Sequence, residues 1–356
     1  MSFSSVETLS FRNLADGAVR TDAPSVFVVG DNGQGKTNFL DAVYTLCYGS
    51  SFRGGQDAEV ARTGTRSWST RGVNPDGSWC RVSWDSGSKS IREDDKPVQD
   101  RKRLVERNPA IVFCHEDMEF ARGEPERRRF FFDQTASLVS VGYIDSLRAY
   151  RRALKARNVA LKDRSLDVLD VLDIQIATYG LSLRDDRARL SVEFDERFAP
   201  RYERVSRLGK RVGVAYRPSW RLDDTVDDVV SRLAAARDRE LAFGTSLSGP
   251  HRDRFVFVDE RGDFSDRAST GQLRLLSLTL RIAQAEHYAA VSGRAPILLL
   301  DDVLLELDPE KRRRFMENLP ESDQSFFTFL PGEPYRDYAN DSTLVYWTDD
   351  GRFSST

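Results

Sequence analysis

The chain has little of what marks secreted, membrane or metal-rich proteins. Among its 356 residues there are three cysteines and three histidines, all dispersed. Such spacing supports neither a disulfide framework nor a metal cluster, so Cys47, Cys80 and Cys114 are predicted to be buried free thiols. No apolar run approaches the length of about 18 residues that a transmembrane helix needs. The first residues also lack the basic and apolar regions of a signal peptide, so we expect a cytoplasmic protein.

An excess of positive charge is also lacking. The 53 basic and 56 acidic residues give a net charge of −3 and a pI near 5.8. Any contact with DNA must therefore come from a local basic patch. Four basic residues do recur at helical spacing, on one predicted helix face: Arg148, Arg151, Arg152 and Lys155. They are candidate DNA-binding residues, and the alternative is the solvated face of an amphipathic helix.

A phosphate-binding loop is present near the start of the chain. Residues 30–37 fit the pattern G-x-x-x-x-G-K-[ST] at every fixed position. The apolar residues 24–29 before them predict a buried strand, and apolar residues at helical spacing after Thr37 predict a helix. We therefore predict an ATP-binding loop formed by Gly30, Asp31, Asn32, Gly33, Gln34, Gly35, Lys36 and Thr37.

Each part of this loop has a chemical role. The glycines let backbone N–H groups turn toward phosphate, and the following helix adds the positive end of its dipole. Lys36 is predicted to reach the β- and γ-phosphates, and the Thr37 hydroxyl to ligate Mg²⁺. The alternative, an ordinary glycine-rich turn, does not explain why Lys and Thr stand in register.

Two aspartates near the end of the chain complete the chemistry. Residues 297–300 are four aliphatic residues, a run typical of a parallel strand that is buried on both faces. Asp301 and Asp302 follow it, and ligands bind beyond the carboxyl ends of such strands. Asp301 is predicted to be the Mg²⁺ partner, and Asp302 to orient or deprotonate the attacking water. For Asp302 the alternative is a turn cap.

A third element, S-T-G-Q at residues 269–272, precedes a predicted helix. A serine and a glycine at a helix start can form an anion-binding N-terminus. One P-loop already serves the phosphates within a subunit, so this second site is predicted to face the nucleotide of another subunit. Ser269, Gly271 and Gln272 are its residues, which we call the signature. Taken alone, the tetrapeptide reads equally well as a helix N-cap.

The wide separation of these motifs predicts the domain organisation. An ATPase head of α/β class, built from both chain ends, is expected at residues 1–118 and 245–356. Residues 119–244 are highly charged with apolar residues at helical spacing, and are predicted to form an inserted, mainly helical arm. Within the arm one apolar seam is predicted, formed by Leu166, Leu169, Leu172, Ile176 and Leu183.

The motifs together resemble the ABC-type ATPase heads of SMC proteins and, more closely, the RecF family of bacterial recombination mediators. The resemblance extends over nearly the whole chain. It is carried by F-R-N at 11–13, G-D-N-G-Q-G-K-T-N at 30–38, S-F-R at 51–53, G-E-P-E-R-R-R-F-F-F-D at 123–133, L-S-G-P-H-R-D at 247–253, L-L-D-D-V at 299–303 and E-L-D at 306–308. One departure is the segment at 326–332, which lacks an obvious switch histidine, although Thr328 lies in that region.

The resemblance implies a slow, DNA-linked ATPase of DNA repair, DNA replication and the SOS response. It implies a homodimer that closes on ATP and Mg²⁺ as a clamp on gapped DNA, at junctions of single-stranded and double-stranded DNA. It further implies work with RecR and RecO to load RecA on single strands.

Two other functions share some of these motifs. An SMC-like ATPase head with another role in genome maintenance or defence would differ only in its partners. A non-DNA ABC ATPase, such as a transporter subunit, would share the P-loop but not the segments at 30–38 and 247–253.

Overall fold

The computed structural model describes residues 2–305 and 307–355, except the side chains of Lys102 and Val141. In chain order its strands are β1 (Ser5–Leu9), β2 (Gly17–Arg20), β3 (Ser25–Val29), β4 (Ser67–Val73), β5 (Trp79–Asp85), β6 (Ser88–Glu93), β7 (Lys96–Pro97), β8 (Ala110–Phe113), β9 (Gly213–Arg217), β10 (Arg254–Asp259), β11 (Gly262–Asp263), β12 (Ile297–Leu300), β13 (Gln324–Phe329), β14 (Thr343–Asp349) and β15 (Arg352–Ser355).

The α-helices are distributed along the chain. They are α1 (Lys36–Tyr48), α2 (Lys102–Arg107), α3 (Met118–Arg122), α4 (Pro125–Val139), α5 (Val141–Asp163), α6 (Leu169–Ser206), α7 (Val226–Phe243), α8 (Thr270–Ser292) and α9 (Pro309–Glu317). Over the described residues, none of these helices is both long and apolar enough to cross a membrane.

The chain divides into two compact units. The first unit comprises Met1–Glu116 and Tyr288–Thr356, and the second comprises Asp117–His287. One unit is therefore made from both ends of the chain.

The first unit contains two sheets. One is antiparallel, with the order β2-β1-β4-β5-β6-β7. The other has the order β15-β14-β3-β13-β12-β8, and its strands are parallel except for β15. Strand β3 thus lies inside the parallel sheet, and β8, β12 and β13 are buried along their whole length. Strands with both faces covered read as continuous apolar runs, which is why β12 is recognisable in the sequence.

Helix α1 lies in the core of the first unit. Its apolar face, represented by Phe39, Val43 and Leu46, belongs to one buried cluster with side chains of both sheets. All three cysteines are free thiols buried in the same cluster, as predicted. The packing of α1 fixes the direction of its N-terminus, where the predicted phosphate loop ends.

The second unit is mainly helical and carries the small antiparallel sheet β11-β10-β9. Strands β10 and β11 form a hairpin. Its outer partner is β9, which pairs with β10 from Arg217 to Gly213. Because of this pairing, residues 245–287 pack within the second unit, whereas the predicted head boundary put them with the chain ends. The boundary near residue 118 differs from the observed one by two residues.

Candidate nucleotide-binding site

The glycine-rich loop connects β3 to α1, and α1 begins at Lys36. Gly33 and Gly35 have φ values of +81° and +106°, which L residues with a side chain rarely adopt. Gly30 is restricted for a different reason, because a Cβ there would lie 2.6 Å from the backbone oxygen of Thr348. The loop therefore needs glycine at three of its positions, for two separate physical reasons.

Lys36 is buried, with 4% of its side chain exposed. Its ammonium group donates hydrogen bonds to the carbonyl oxygens of Gly30 at 2.9 Å and Asp31 at 3.2 Å. It also lies 4.0 Å from a carboxylate oxygen of Asp302. The positive charge is thus held over the loop, where a phosphate group can take the place of the carbonyl partners.

The two chain ends meet at Thr37 and Asp301. The Thr37 hydroxyl donates a hydrogen bond of 2.8 Å to Oδ1 of Asp301. Asp301 follows β12 directly, and its N–H donates to the carbonyl of Phe113 at the end of β8. A hydroxyl beside a carboxylate is the small set of hard oxygen donors with which proteins hold Mg²⁺, the remaining ligands being water and phosphate. The residues present therefore fit this ion.

The carboxyl group of Asp301 has a perturbed acidity. Burial, and after it the charge of the neighbouring Asp302 carboxylate, raise its pKa to about 6. Hydrogen bonds from Thr37 and Thr328 oppose this shift because they stabilise the ionised form. Two carboxylates in one partly buried place are characteristic of sites that bind cations or move protons.

Asp302 adopts a left-handed backbone conformation. Its φ is +48°, a value that aspartate tolerates better than most residues other than glycine. The Asp302 N–H donates to the Thr328 hydroxyl at 2.7 Å, and the same hydroxyl lies 2.8 Å from Oδ1 of Asp302. In the sequence, Thr328 is marked only by its position in the segment 326–332, which lacks a switch histidine.

Part of the phosphate loop and Asp302 border one cavity of about 240 Å³. Its walls are formed by Asn32, Gly33, Gly35, Lys36, Thr37, Asn38, Arg53 and Asp302. The loop, the lysine and the second aspartate therefore face the same space.

Two residues beside the cavity were not assigned a role from the sequence. The amide of Asn13 donates to the carbonyl of Gly33 at 2.8 Å, and Asn38 donates to Asn13 at 2.6 Å. Arg53 in turn donates to Asn38 at 3.0 Å. Asn13 lies in the F-R-N segment and Arg53 in the S-F-R segment of the family resemblance. Only this resemblance marks the two residues in the sequence. Irregular loops carry no periodicity from which such contacts could be predicted.

The signature lies in the second unit, at the start of α8. Ser269 and Gln272 form a reciprocal cap: Gln272 N–H donates to the Ser269 hydroxyl at 3.3 Å, and Ser269 N–H donates to the Gln272 side chain at 2.9 Å. Ser269 and Gly271 are exposed. The N-cap interpretation is thus observed, and it leaves an exposed helix N-terminus that can receive an anion.

The predicted basic face is present on α5. Arg148, Arg151, Arg152 and Lys155 are all exposed, and Arg151 lies 3.8 Å from a carboxylate oxygen of Asp133. Residue Glu306 of the E-L-D segment lies outside the described residues.

The L-S-G-P-H-R-D segment forms part of the core of the second unit. Asp253 accepts from Arg187 at 2.9 Å, and Arg187 also donates to Asp133 at 2.8 Å. His251 contacts the hydroxyl of Tyr150 at 2.8 Å and the carbonyl of Ser246 at 3.1 Å. Burial lowers the pKa of His251 to about 4. These contacts give the segment a structural role within its own unit.

Comparison with known proteins agrees with this geometry. The family described as RecF/RecN/SMC N terminal domain matches residues 2–333. The DNA replication and repair protein RecF of Treponema pallidum is 44% identical over 347 residues, which cover 96% of this chain and 98% of that protein. RecF of a Synechococcus strain is 33% identical, covering 89% of this chain and 88% of its own length.

Solved structures show the same fold. The structure of the recombination mediator protein RecF with ATP, in the RecFOR pathway, has a TM-score of 0.89 at 24% identity and covers 99% of this chain and 97% of that one. An Smc head bound to the C-terminal winged-helix domain of ScpA has a TM-score of 0.58 at 13% identity, covering 99% and 96%. The predicted fold class, an ATPase head of the SMC and RecF type, is confirmed. The chain therefore belongs to the RecF/RecN/SMC family and, through its full-length relatives, to the RecF proteins within it.

Proposed function

We propose that this protein is an ATP-dependent, DNA-binding recombination mediator of the RecF type. The observation that carries the proposal is the 2.8 Å hydrogen bond from Thr37 to Asp301. It joins a P-loop from one end of the chain to a carboxylate from the other, beside the buried ammonium group of Lys36. This is the arrangement that an ATP-hydrolysing head requires.

ATP is bound along the loop in this proposal. Backbone N–H groups of residues 33–37 and the N-terminus of α1 surround the phosphates, and Lys36 neutralises the β- and γ-phosphates. Thr37 and Asp301 would hold Mg²⁺, which would supply charge neutralisation and orientation of the phosphate oxygens. Arg53 and Asn38 border the same cavity and limit its width.

Hydrolysis requires a water molecule placed in line with the γ-phosphate. Asp302 orients or deprotonates that water. Its side chain borders the cavity, and it is not among the residues that bind the phosphates or Mg²⁺ in this proposal. The signature of a second copy, Ser269, Gly271 and Gln272, closes the site by directing an exposed helix N-terminus at the γ-phosphate. Turnover is slow, since each site is complete only in the ATP-bound homodimer. In this scheme residues 245–287 act with the head, although they pack within the second unit.

The dimer acts as a clamp on gapped DNA at junctions of single and double strands. The basic face of α5 contributes phosphate contacts, and hydrolysis at the Asp301 and Asp302 pair resets the clamp. RecR binds the clamp and, with RecO, loads RecA on the single strand. The protein works in the cytoplasm, in the DNA repair, replication and SOS context that the family resemblance implies.

A mobility-shift assay with gapped, single-stranded and double-stranded DNA, each with and without ATP, tests the proposal. We expect ATP to strengthen binding to gapped DNA most. Equal binding with and without ATP on all three DNAs would contradict the proposed clamp.

A further inference from the structure

The hydroxyl group of Thr328 lies between the two carboxylates of the site. Thr328 stands near the carboxyl end of β13 and is 3% exposed. Its Oγ1 is 3.2 Å from Oδ1 of Asp301 and 2.8 Å from Oδ1 of Asp302. It also accepts a hydrogen bond of 2.7 Å from the Asp302 N–H. One buried side chain thus touches both catalytic candidates.

A count of hydrogens separates these contacts. A threonine hydroxyl has one proton to donate and two lone pairs that accept. The Asp302 N–H binds to one of the lone pairs. The hydroxyl has only one proton, and two carboxylates lie within hydrogen-bonding distance of it. The shorter distance is to Asp302, and Asp301 already accepts from Thr37 at 2.8 Å. The Thr328 proton therefore serves Asp302, while Asp301 keeps its own hydroxyl partner.

Asp302 depends on such a partner more than Asp301 does. Its backbone lies in the left-handed region at φ +48°, which aspartate tolerates, and its N–H donates to the Thr328 hydroxyl at 2.7 Å. Its side chain is 29% exposed and reaches the Lys36 ammonium only at 4.0 Å. The Thr328 hydroxyl binds both the backbone and the side chain of Asp302, which fixes the direction of the carboxylate.

We propose that Thr328 is a positioning residue for ATP hydrolysis, which holds the Asp302 carboxylate toward the attacking water through its hydroxyl group. This inference rests on the proposed function, in which Asp302 acts on that water. In this proposal Thr328 acts only through Asp302. Its removal is expected to slow the chemical step and to leave nucleotide affinity unchanged.

The test compares Thr328→Val, which keeps the shape and removes the hydroxyl, with Thr328→Ser, which keeps the hydroxyl. ATP affinity is measured by binding titration and turnover by phosphate release. For Thr328→Val we expect kcat to fall about 10-fold or more, with the Kd for ATP within about 2-fold of the wild type. Thr328→Ser is expected to stay within about 3-fold of the wild-type kcat.

Ser325 provides a matched control on the same strand. It is also buried and hydroxyl-bearing, and it bonds Ser25 at 3.0 Å at the other end of β13. Ser325→Ala removes a buried hydroxyl from this strand without touching the carboxylates, so its kcat and Kd should match the wild type.

Three results would overturn the inference. They are wild-type turnover in Thr328→Val, equal loss in Thr328→Ser and Thr328→Val, or equal loss in Ser325→Ala. An Asp302→Asn variant assayed beside them separates the two proposals. If Asp302→Asn is slow and Thr328→Val is normal, only the positioning role fails. If Asp302→Asn hydrolyses ATP at the wild-type rate, the assigned role of Asp302 fails and the positioning role fails with it.

Discussion

In the proposed mechanism, the charge of Asp302 is needed for hydrolysis of ATP and not for its binding. It lies at the cavity but forms no part of the loop that surrounds the phosphates. Asp302→Asn keeps the size of the side chain and removes the charge that orients or deprotonates water. We expect ATP binding to persist and kcat to fall about 100-fold or more, the usual contribution of a general base.

The same variant should accumulate as a closed, ATP-bound dimer, because the step that opens the dimer is slowed. Size-exclusion chromatography with ATP measures this, with Asp350→Asn as the control for loss of one exposed carboxylate in the same unit. Wild-type phosphate release in Asp302→Asn would contradict the role of Asp302.

His251 makes a prediction about pH in the second unit. Burial holds its pKa near 4, whereas an exposed histidine titrates near 6.5, and the nearby Arg252, Arg129 and Arg157 act in the same direction. Between pH 4 and pH 6.5, His251 binds a proton more often in the unfolded chain than in the folded chain. The stability that His251 contributes is therefore present above pH 6.5 and is lost as the pH falls toward 4.

His251→Gln replaces the group by one that does not titrate. We expect the free energy of unfolding, measured with urea at pH 7, 5.5 and 4.5, to depend less steeply on pH in the variant than in the wild type. An unchanged slope in the variant would show that His251 does not titrate as its burial indicates.

At the scale of elements, helix α5 carries the candidate DNA contacts. Arg152 is exposed on the basic face of this helix. Arg152→Ala should weaken binding of all DNA sequences alike and reduce the slope of log K against log salt concentration by about 0.9 for the one lost phosphate contact. Arg239→Ala on α7 removes another exposed arginine of the same unit and should leave the slope unchanged. Equal slopes in both variants would remove α5 from the DNA interface.

The N-terminus of α8 carries the proposed trans contact. Ser269→Arg places a bulky cation where the helix is expected to meet the γ-phosphate of another subunit. We expect the Kd for ATP to stay within about 2-fold, because the P-loop is elsewhere, while ATP-dependent dimerisation, hydrolysis and DNA binding are lost together.

Ser269→Arg also removes the helix cap, which lowers the stability of the fold by about 1 kcal/mol. This loss of stability must be distinguished from the loss of the trans contact. Thr225 at the start of α7 forms the same kind of reciprocal cap with Asp228, so Thr225→Arg is a matched control for lost capping. It should keep ATP-dependent dimerisation. If Ser269→Arg also dimerises with ATP, the signature does not act in trans.

Elements with strong periodicity could be predicted from the sequence, and isolated contacts could not. Strand β12, with four aliphatic residues, and helix α1, with one apolar face, are recognisable because burial imposes their pattern. The predicted apolar seam of the arm is partly wrong, because its first residue lies outside helix α6. Leu166 is 52% exposed and lies in a short 3-10 turn, whereas Leu169 is fully buried at the start of α6. A chain reversal after α5 interrupts the spacing, and single apolar residues do not reveal it.

At the scale of the whole molecule, several contacts between residues far apart in the sequence could not be predicted from it. The spacing of the P-loop and Asp301 indicates that the chain ends fold together, and they do so in the first unit. Strand β10 lies in the second unit and pairs there with β9, from which helix α7 separates it in the sequence. Neither segment indicates its partner, so the predicted head boundary at 245 differs from the observed one. The contacts of Asn13, Arg53 and Thr328 are equally long-range, which is why their roles appear only in the structure.

In the proposed mechanism, two copies of the chain share each ATP site. Lys36→Ala lacks the phosphate-binding ammonium group, and Ser269→Arg lacks a working signature, so neither variant alone should dimerise with ATP. Mixed together, they can form one intact site from the P-loop of the Ser269→Arg copy and the signature of the Lys36→Ala copy. Sedimentation velocity of the mixture with ATP should therefore recover a dimer that neither variant forms alone. A mixture that remains monomeric, while the wild type dimerises under the same conditions, would contradict the shared site.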